Sequence, residues 1–515
     1  MSTAETESSS ESESSVVLRQ AGLIEKFHII RSSISFYNNV IVSASYSSKK
    51  PLSPDRLVRA LHTVLSAHPS LSAGIQLPEE PTGTPSFIPL PSIDFTKSEK
   101  FIIWESSSTS SSHAKEYKSL LCRLHDTPFP NEDLTSLPLW RIGVLKRSYN
   151  TPTAYDSETN SEGRIDYEIA FSYHHAIADG LSGAAFHYSL VSALNNIDEA
   201  SGHGTSWDIY TPPGDLELLP PMDEILDFGM GLKTAGRVAG FVGKSILPSF
   251  MHKSVWAAGK VPEKLSPTKV DFLTVEPYTL ETLMKALKTK KVSLTAFLTY
   301  AAADALFSVM KALEKDEFAK IKNVKVSVPM SYRKSAGWDN TIMADCIGAI
   351  NWDIGKFKAL DGEISGMKKL TLVLKKESTV TRDSEVGLIS LVGDLAGFFK
   401  GQVGKDRELT FEVSNLGVLD ADKLGELKKK EGSKEEVEGD KTATKEPEDW
   451  KVEEALFSQS ASVTGPAFSV NAVTVGKKLG IVVQWMDGVL KDDVMEALVK
   501  EMDKIISGFS SKIGK

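Results

Sequence analysis

The chain has 515 residues, of which 41% are hydrophobic and 25% are charged, so it has the composition of a globular protein with room for two domains. Its 59 basic and 68 acidic residues give a net charge of -9, which argues against a general affinity for the nucleic-acid backbone, and we predict no nucleic-acid partner. The two cysteines, Cys122 and Cys346, offer neither a disulfide framework nor a Cys-based zinc site, and they fit a reducing cytoplasm.

The N-terminal part begins with a polar segment and continues with a helix and a strand. Residues 1–16 are mainly serine and glutamate, which predicts a disordered acidic tail rather than a secretory signal. From Ser53 a Ser-Pro-Asp start and apolar residues at helical spacing predict an amphipathic helix that ends near Pro69, before a strand. Residues 103–116 are rich in serine and predict a loop, and residues 138–146 predict the next strand.

The stretch "FSYHHAIADG", residues 171–180, carries the strongest chemical signal. The residues before it alternate as a strand and those after it have a helical apolar stripe, so His174 and His175 lie on a strand-to-helix loop, where chemistry is frequent. Adjacent strand residues point to opposite faces, so these two histidines are poorly placed to bind one metal together, and we predict no metal site.

We place His175 at a cleft because Asp179 follows it at i+4 and Gly180 allows a tight turn into the helix. A purely structural role stays open, in which both histidines are hydrogen-bonded strand-end residues and Asp179 only caps the helix. Neither a dinucleotide-binding loop, a Walker loop nor a G-x-S-x-G elbow is complete in this sequence.

The second half repeats the same kinds of element, with a helix at 292–313 and a strand at 323–334, so an α/β class is predicted. Proline-rich residues 211–221 suggest a boundary between two lobes. The predicted organisation begins with an acidic tail (1–16) and an N-terminal lobe (17–220). An amphipathic crossover (221–265) leads to a C-terminal lobe (266–515), which contains a charged disordered insertion (420–454).

The predicted crossover contains a segment with the composition of a membrane-surface helix. Residues 223–256 mix apolar side chains with Lys233, Arg237, Lys244 and Lys253. Such a segment could lie on a membrane or lipid-droplet surface, or it could bury its apolar stripe against the two lobes, which is the simpler interpretation. No run of about 18 apolar residues free of charge is present, so a membrane-spanning helix is not predicted.

The HHxxxDG pattern resembles the active-site motif of the CoA-dependent acyltransferases that include chloramphenicol acetyltransferase, plant BAHD enzymes and condensation domains of peptide synthetases. Further stretches resemble the fungal alcohol acetyltransferase branch: "AHPSLSAGI" (67–75), "PLWRIGVL" (138–145), "FEVSNLGVLD" (411–420) and "FSQSASVTGPAFSVNAVTV" (457–475). The resemblance spans roughly residues 17–510. The plant-type D-F-G-W-G is absent, so details of the plant enzymes' C-terminal lobe do not transfer.

This resemblance implies an α/β fold of two chloramphenicol-acetyltransferase-like lobes, each a mixed sheet flanked by helices, with the active-site channel between them. It implies transfer of acetyl from acetyl-CoA to an alcohol, with His175 as general base, no acyl-enzyme and no bound cofactor. Asp179 would be structural and would pair with an arginine, for which Arg333 in "VPMSYRK" is the candidate. His174 and Gly180 would support the loop.

The oxyanion of the tetrahedral intermediate needs a donor, and the sequence offers Ser414, Asn415, Ser458 and Gln459. A turn at Asn415 is the competing interpretation. The partners implied are acyl-CoA and a small alcohol or amine, with the chain a cytoplasmic monomer that could contact a membrane peripherally. N-acetylation, transfer of a longer acyl chain, a carrier-dependent condensation domain and a catalytically idle scaffold remain alternatives.

Overall fold

We analysed the chain as a computed structural model. The structure describes residues 16–108, 111–150, 156–157, 159–197, 206–229, 231, 236, 255–419 and 449–511. The predicted acidic tail lies almost wholly outside these residues, as do most of the predicted crossover and of the charged insertion.

Two large sheets organise the described residues. The first sheet has the strand order β16-β2-β10-β7-β6 and the second the order β12-β18-β17-β15-β13-β14. The first sheet contains β2 (Val40–Ser48), β6 (Ile102–Ser108), β7 (Trp140–Arg147), β10 (Ile165–Tyr173) and β16 (Lys451–Gln459). The second contains β12 (Thr268–Val275), β13 (Asn323–Ser331), β14 (Ile347–Gly355), β15 (Phe411–Val418), β17 (Phe468–Val475) and β18 (Lys478–Met486). Smaller sheets are formed by β1 (Arg19–Gln20), β3 (Ala73–Gln76) and β4 (Ser86–Pro89), by β5 (Ile93–Asp94) with β11 (Ile209–Tyr210), and by β8 (Tyr149–Asn150) with β9 (Asp156–Ser157).

Both large sheets are mixed and flanked by helices. In the first, β10 runs antiparallel to β2 and β7, and β6 is parallel to β7; in the second, β15 is parallel to both β13 and β17. The helices are α1 (Leu23–Ser33), α2 (Pro54–Ala67), α3 (His113–Asp126), α4 (Gly180–Asn195), α5 (Met222–Ile225), α6 (Pro277–Lys290), α7 (Leu294–Leu313), α8 (Lys315–Lys320), α9 (Arg333–Ala336), α10 (Ile364–Glu377), α11 (Glu385–Ile389), α12 (Leu395–Lys400) and α13 (Asp492–Ser511). This arrangement confirms the predicted α/β class with two lobes.

Helix starts follow the sequence signals. Ser53 accepts a hydrogen bond from the backbone N–H of Arg56, and Pro54 occupies the first turn of α2, where its missing N–H costs nothing. The helix then buries Leu57, Leu61 and neighbouring apolar residues in the core of the first lobe. The predicted helix at 292–313 is α7, which begins after the capping residue Ser293 and packs on α13 in the core of the second lobe.

Helix α7 is, among the residues that the structure describes, the one helix long and apolar enough to cross a membrane. Its residues are mostly buried against the second sheet and α13, so it is accounted for as a core helix. The described start of the predicted crossover is also packed inward, since Met222 and Phe228 are buried beside Tyr332. Residues 237–254, which carry most of the predicted amphipathic stripe, lie outside the described residues.

The predicted lobe boundaries need one correction. The charged insertion was predicted to reach residue 454, but Trp450 is buried and β16 begins at Lys451. This strand belongs by sequence to the C-terminal lobe, yet it pairs antiparallel with β2 at the edge of the first sheet. The physical reason is that β2 would otherwise expose an unpaired edge, which natural sheets avoid by pairing or covering it. The two lobes therefore share a strand.

The predicted loop at 103–116 is also wrong. Residues Ile102–Ser108 form β6, which pairs in parallel with β7, and α3 begins at His113. The serine-rich composition hid both elements because serine is a weak strand former and a weak helix former. Apolar residues further along α3 are fully buried, and this packing outweighs the local preference.

Candidate functional site

The two histidines of the motif lie just beyond the end of β10. The strand stops at Tyr173, His174 has extended backbone, and His175–Ile177 form a short 3-10 turn. The ring of His174 accepts a hydrogen bond at Nδ1 from the backbone N–H of Ala176, 3.1 Å away, and so caps that turn. Both histidines therefore lie after the strand, which corrects the prediction that they alternate along it.

His174 is a structural member of the loop. Burial, followed by the charges of His175 and Arg31, lowers the pKa of His174 to about 3, so its imidazole is neutral. Its ring meets the edge of the Phe129 ring with centroids 5.8 Å apart. These contacts fit the supporting role predicted for it.

Asp179 both caps α4 and pairs with Arg333. Its carboxylate accepts hydrogen bonds from the backbone N–H and the hydroxyl of Ser182, at 2.8 and 2.9 Å. Arg333 donates to it from Nη2 at 2.7 Å and from Nε at 3.2 Å, and the two side chains are almost completely buried. A buried charge pair of this kind is stable only when its remaining donors and acceptors are satisfied.

Arg333 satisfies its remaining donors on the segment that leads into β14. It donates to the backbone carbonyls of Asp339, Ile342 and Ala344, at 3.3, 2.6 and 3.0 Å. The backbone N–H of Cys346 donates in turn to the Asp179 carboxylate at 3.3 Å. The guanidinium therefore ties the histidine loop of the first lobe to residues 339–346 of the second.

Gly180 lies at a closely packed position and does not have the positive φ that favours glycine. It is the first residue of α4, and a Cβ there would lie 2.4 Å from Cδ2 of Leu416 and 3.2 Å from Cζ of Phe457. The prediction that glycine serves a tight turn is replaced by this close packing between the lobes.

His175 contacts two residues that lie outside the motif, His28 and Asp345. The ring of His28, on α1, lies parallel to it with centroids 3.7 Å apart and an interplanar angle of 4°. Nδ1 of His175 lies 3.7 Å from Oδ2 of Asp345, and Nε2 of His28 lies 3.4 Å from the same oxygen. All three side chains are buried, so they form a cluster of two imidazoles and one carboxylate at the junction of the lobes.

The hydrogen bond from Arg31 fixes the tautomer of His28. Arg31 Nη2 donates to Nδ1 of His28 over 3.1 Å, and an arginine cannot accept, so the ring proton of neutral His28 is on Nε2. Burial, followed by the charges of His175 and Arg31, lowers the pKa of His28 well below its ordinary value. The Nε2–H bond therefore faces Asp345.

This cluster is poorly built for a metal, although its ligand atoms all lie within 4.8 Å of one another. A metal ligand uses the nitrogen lone pair in the plane of the ring, and in two parallel stacked rings these lone pairs run side by side rather than converging. Arg31 also places a positive charge beside His28. The geometry instead suits proton transfer and charge stabilisation.

Two cavities flank the cluster. One of about 570 Å³ is lined by Ala176, Ile177 and Asp345, together with His68, Ser189 and Trp338. A smaller one of about 40 Å³ is lined by Arg31, Tyr37, Gln459 and Ser460. The ring of Tyr37, which lines the smaller cavity, lies 6.2 Å from that of His175.

Three of the four predicted oxyanion donors are occupied by other bonds. Asn415 donates to Thr295 and accepts from the backbone N–H of Gly417, which makes the turn that was the competing interpretation. Ser458 Oγ lies 2.8 Å from Nε2 of the buried His125. The amide nitrogen of Gln459 donates to Glu412 at 2.7 Å and to the side chain of Asn471 at 3.1 Å.

Ser414 is the fourth, and it is buried on β15 in the second sheet. Tyr37 was not predicted, yet it lines the small cavity, and its hydroxyl reaches Oε1 of Gln459 only at 3.5 Å, the outer limit of a hydrogen bond. His28 and Asp345 were not predicted either. Their only sequence signals are a histidine between apolar neighbours in a helix and a lone acid before a strand.

Comparisons with known proteins agree with this architecture. A family model described as alcohol acetyltransferase matches residues 114–429. The probable alcohol acetyltransferase FCK4 of Fusarium pseudograminearum is 24% identical over 96% of this chain and 96% of its own length. The probable alcohol acetyltransferase crmB of Aspergillus fumigatus is 25% identical over 95% of this chain and 99% of its own.

Solved structures share the fold. The trichothecene 15-O-acetyltransferase TRI3 from Fusarium sporotrichioides superposes with a TM-score of 0.64 at 13% identity, covering 95% of this chain and 94% of that one. The condensation domain of the Monacolin K polyketide synthase MokA gives 0.57 at 11% identity, covering 96% and 98%. Since the family model matches more than half of its residues, the chain belongs to the alcohol acetyltransferase family, a family of acyltransferase enzymes.

Proposed function

We propose that this protein is a CoA-dependent O-acetyltransferase that transfers acetyl from acetyl-CoA to an alcohol. The observation that carries the proposal is the buried His175, whose ring lies beside the carboxylate of Asp345, a residue that lines the cavity of about 570 Å³. A substrate in that cavity would lie next to the histidine loop, since Ala176 and Ile177 line it as well. The alcohol acetyltransferase names of both relatives and the O-acetyltransferase name of TRI3 support an alcohol as acceptor.

A single base is sufficient for this reaction because a thioester is already an activated acyl donor. Nδ1 of His175 faces Asp345, which leaves Nε2 for the acceptor hydroxyl. As the alcohol oxygen bonds to the thioester carbonyl carbon, Nε2 takes the hydroxyl proton. The tetrahedral intermediate then collapses, the carbon–sulfur bond breaks, and the imidazolium returns that proton to the CoA thiolate. Neither an acyl-enzyme nor a bound cofactor enters these steps.

The alternatives differ in substrate rather than in the base. An amine acceptor or a longer acyl chain would use the same imidazole, and pocket shape would decide between them. A catalytically idle scaffold remains the alternative of another class, and the complete set of His175, Asp179 and Arg333 contacts counts against it. A monomeric state, a cytoplasmic location and peripheral membrane contact stay proposals.

A substrate panel tests the proposal. The purified chain is incubated with acetyl-CoA and a matched set of alcohols and amines of similar size, while thiol release is followed and the products are identified by mass spectrometry. We expect acetate esters. If acetamides are the only products, the acceptor is an amine rather than an alcohol. If no thiol is released with any alcohol or amine, the scaffold is favoured.

Tyr37 offers a test of oxyanion stabilisation. Burial raises the pKa of Tyr37 above its ordinary value, so its hydroxyl stays a proton donor, and a substrate oxygen would compete with its long contact to Gln459 and its contact with Ser460. We expect Tyr37→Phe to lower kcat by about 10²-fold, the effect of losing one such donor, with KM for acetyl-CoA little changed.

The phenyl ring would keep the stacking of Arg31, whose guanidinium lies 3.9 Å from the Tyr37 ring centroid. Phe36→Leu, at the neighbouring buried position, controls for packing in this segment. If Tyr37→Phe keeps full kcat, the donor lies elsewhere, and Ser414 becomes the next candidate.

A further inference from the structure

Asp345 is a buried carboxylate that the fold leaves without a hydrogen bond. Both of its oxygens are shielded from solvent, and among the residues that the structure describes neither has a hydrogen-bond partner. Burying such a group is costly, so an unsatisfied one at a catalytic junction calls for an explanation. Its nearest cationic or proton-bearing neighbours are the two stacked imidazoles, at 3.4 and 3.7 Å.

The backbone around Asp345 is rigidly held. The carbonyl of Ala344 accepts from Arg333, and the N–H of Cys346 donates to Asp179. The same ion pair also anchors the histidine loop. One clamp thus fixes both the carboxylate and His175, and sets the distance between them.

We infer that Asp345 is a positioning residue of the transfer reaction. Its carboxylate holds the proton-bearing Nδ1 of His175, directs Nε2 to the acceptor, and stabilises the imidazolium that exists between proton uptake and proton return. The inference rests on the proposed function of His175. Asp179 cannot serve this purpose, because its carboxylate is already bonded to Arg333 and Ser182.

His28 contacts both His175 and Asp345. Its ring covers one face of His175 and so resists rotation of that imidazole. Its Nε2–H, fixed by the bond from Arg31, faces the same carboxylate oxygen as His175 does. The carboxylate is therefore shared by one neutral imidazole and by the imidazole that changes charge during turnover.

The charge state of Asp345 sets a pH dependence. Burial raises the pKa of Asp345 from 3.8 to about 6, opposed by His175 and assisted by Asp179 and Glu25. The groups that face it are Glu25, His28 and Arg31 of α1, Tyr37, Tyr173, His175, Asp179, Arg333 and Cys346. Below about pH 6 the carboxylate gains a proton and can no longer balance the imidazolium, so activity falls there.

The raised pKa of Asp345 affects stability in the opposite direction, because a higher pH favours activity but lowers the free energy of unfolding. A pKa that is higher in the folded chain means that folding favours the protonated form, so stability is lost as the pH rises from 3.8 through about 6. An asparagine at this position has no charge to bury. Asp345→Asn should thus remove activity without lowering stability at pH 8, which a merely structural residue would not do.

The test compares Asp345→Asn with Asp353→Asn, which removes an exposed carboxylate from β14. For Asp345→Asn we expect kcat to fall on the order of 10²- to 10⁴-fold at pH 8, with both KM values within about threefold. The acidic limb of the pH–rate profile moves, and the unfolding temperature at pH 8 is equal to or above that of the wild type. Asp353→Asn keeps wild-type values throughout.

Two results would overturn the inference. One is wild-type kcat in Asp345→Asn; the other is a kcat loss that accompanies a lower unfolding temperature at pH 8. Nitrogen NMR of labelled histidines provides a readout that does not depend on turnover. The His175 signal is assigned by its loss in His175→Gln, and we expect it to show the Nδ1–H tautomer. If the wild type transfers no acetyl group, the proposed function fails, whereas a Nδ1-deprotonated His175 refutes the role of Asp345 itself.

Discussion

Replacement of His175 by alanine is expected to lower kcat for acetyl transfer by about 10²- to 10⁴-fold, the contribution of a positioned general base. The loss corresponds to about 3–5 kcal/mol of transition-state stabilisation. KM for acetyl-CoA should stay within a few-fold of the wild-type value, because an interaction made only in the transition state contributes little to ground-state binding. Steady-state thiol release with the best alcohol of the panel provides the measurement.

The fold should survive this substitution. His175 donates no hydrogen bond to a strand or helix among the described residues, and its ring contacts mainly His28 and Asp345. His62→Ala is the matched control, since it removes a part-buried imidazole of α2 that bonds the carbonyl of Trp207, away from both cavities. Equal kcat in His175→Ala and wild type would remove the general base from the mechanism.

The sequence predicts the elements that carry the motif because their signals are local. A capped amphipathic run predicts α2, and an apolar 20-residue stretch after Ser293 predicts α7, both within a few residues of the observed bounds. The placement of β16 beside β2 has no local signal, since strand pairing depends on register across more than 400 intervening residues. The shared strand was therefore missed.

The residues of the candidate site also fall into two groups, those that local sequence signals predict and those that only tertiary packing brings together. His175, Asp179 and Gly180 stand in one short stretch, and Arg333 follows β13, a strand that the sequence also predicts, although the predicted range 323–334 runs past its observed end at Ser331. His28 and Asp345 come from a helix and a loop that only tertiary packing brings to the motif. Their side chains look locally like ordinary helix and strand-end residues, so no pattern in one sequence distinguishes them.

The second large effect is expected at Arg333, whose replacement by methionine should lower the free energy of unfolding by about 3–5 kcal/mol. The substitution keeps an unbranched apolar stem, shorter than that of arginine, and leaves the Asp179 carboxylate buried without its cation. Three backbone carbonyls in residues 339–344 lose their donor as well. Chemical unfolding followed by fluorescence measures the change.

Arg382→Met is the matched control, because Arg382 makes an exposed ion pair with Asp227 at 3.6 Å. Exposed pairs contribute at most about 1 kcal/mol, so this variant should unfold nearly as the wild type does. Equal losses in the two arginine variants would mean that the buried pair has no special weight.

Measuring kcat on folded Arg333→Met distinguishes the anchoring role of Arg333 from its contribution to the stability of the fold. At a temperature where Arg333→Met is still folded, the histidine loop and residues 339–346 are no longer held by one guanidinium, so His175 and Asp345 lose their fixed separation. We expect kcat to fall in the folded variant, because a displacement of about 1 Å can cost about 10²-fold in rate. The variant Arg333→Lys keeps the positive charge but lacks the planar set of guanidinium donors. Relative to Arg333→Met, it should therefore regain more stability than activity. Recovery of both to the wild-type level would show that a single positive charge is enough to hold the two lobes in the active arrangement.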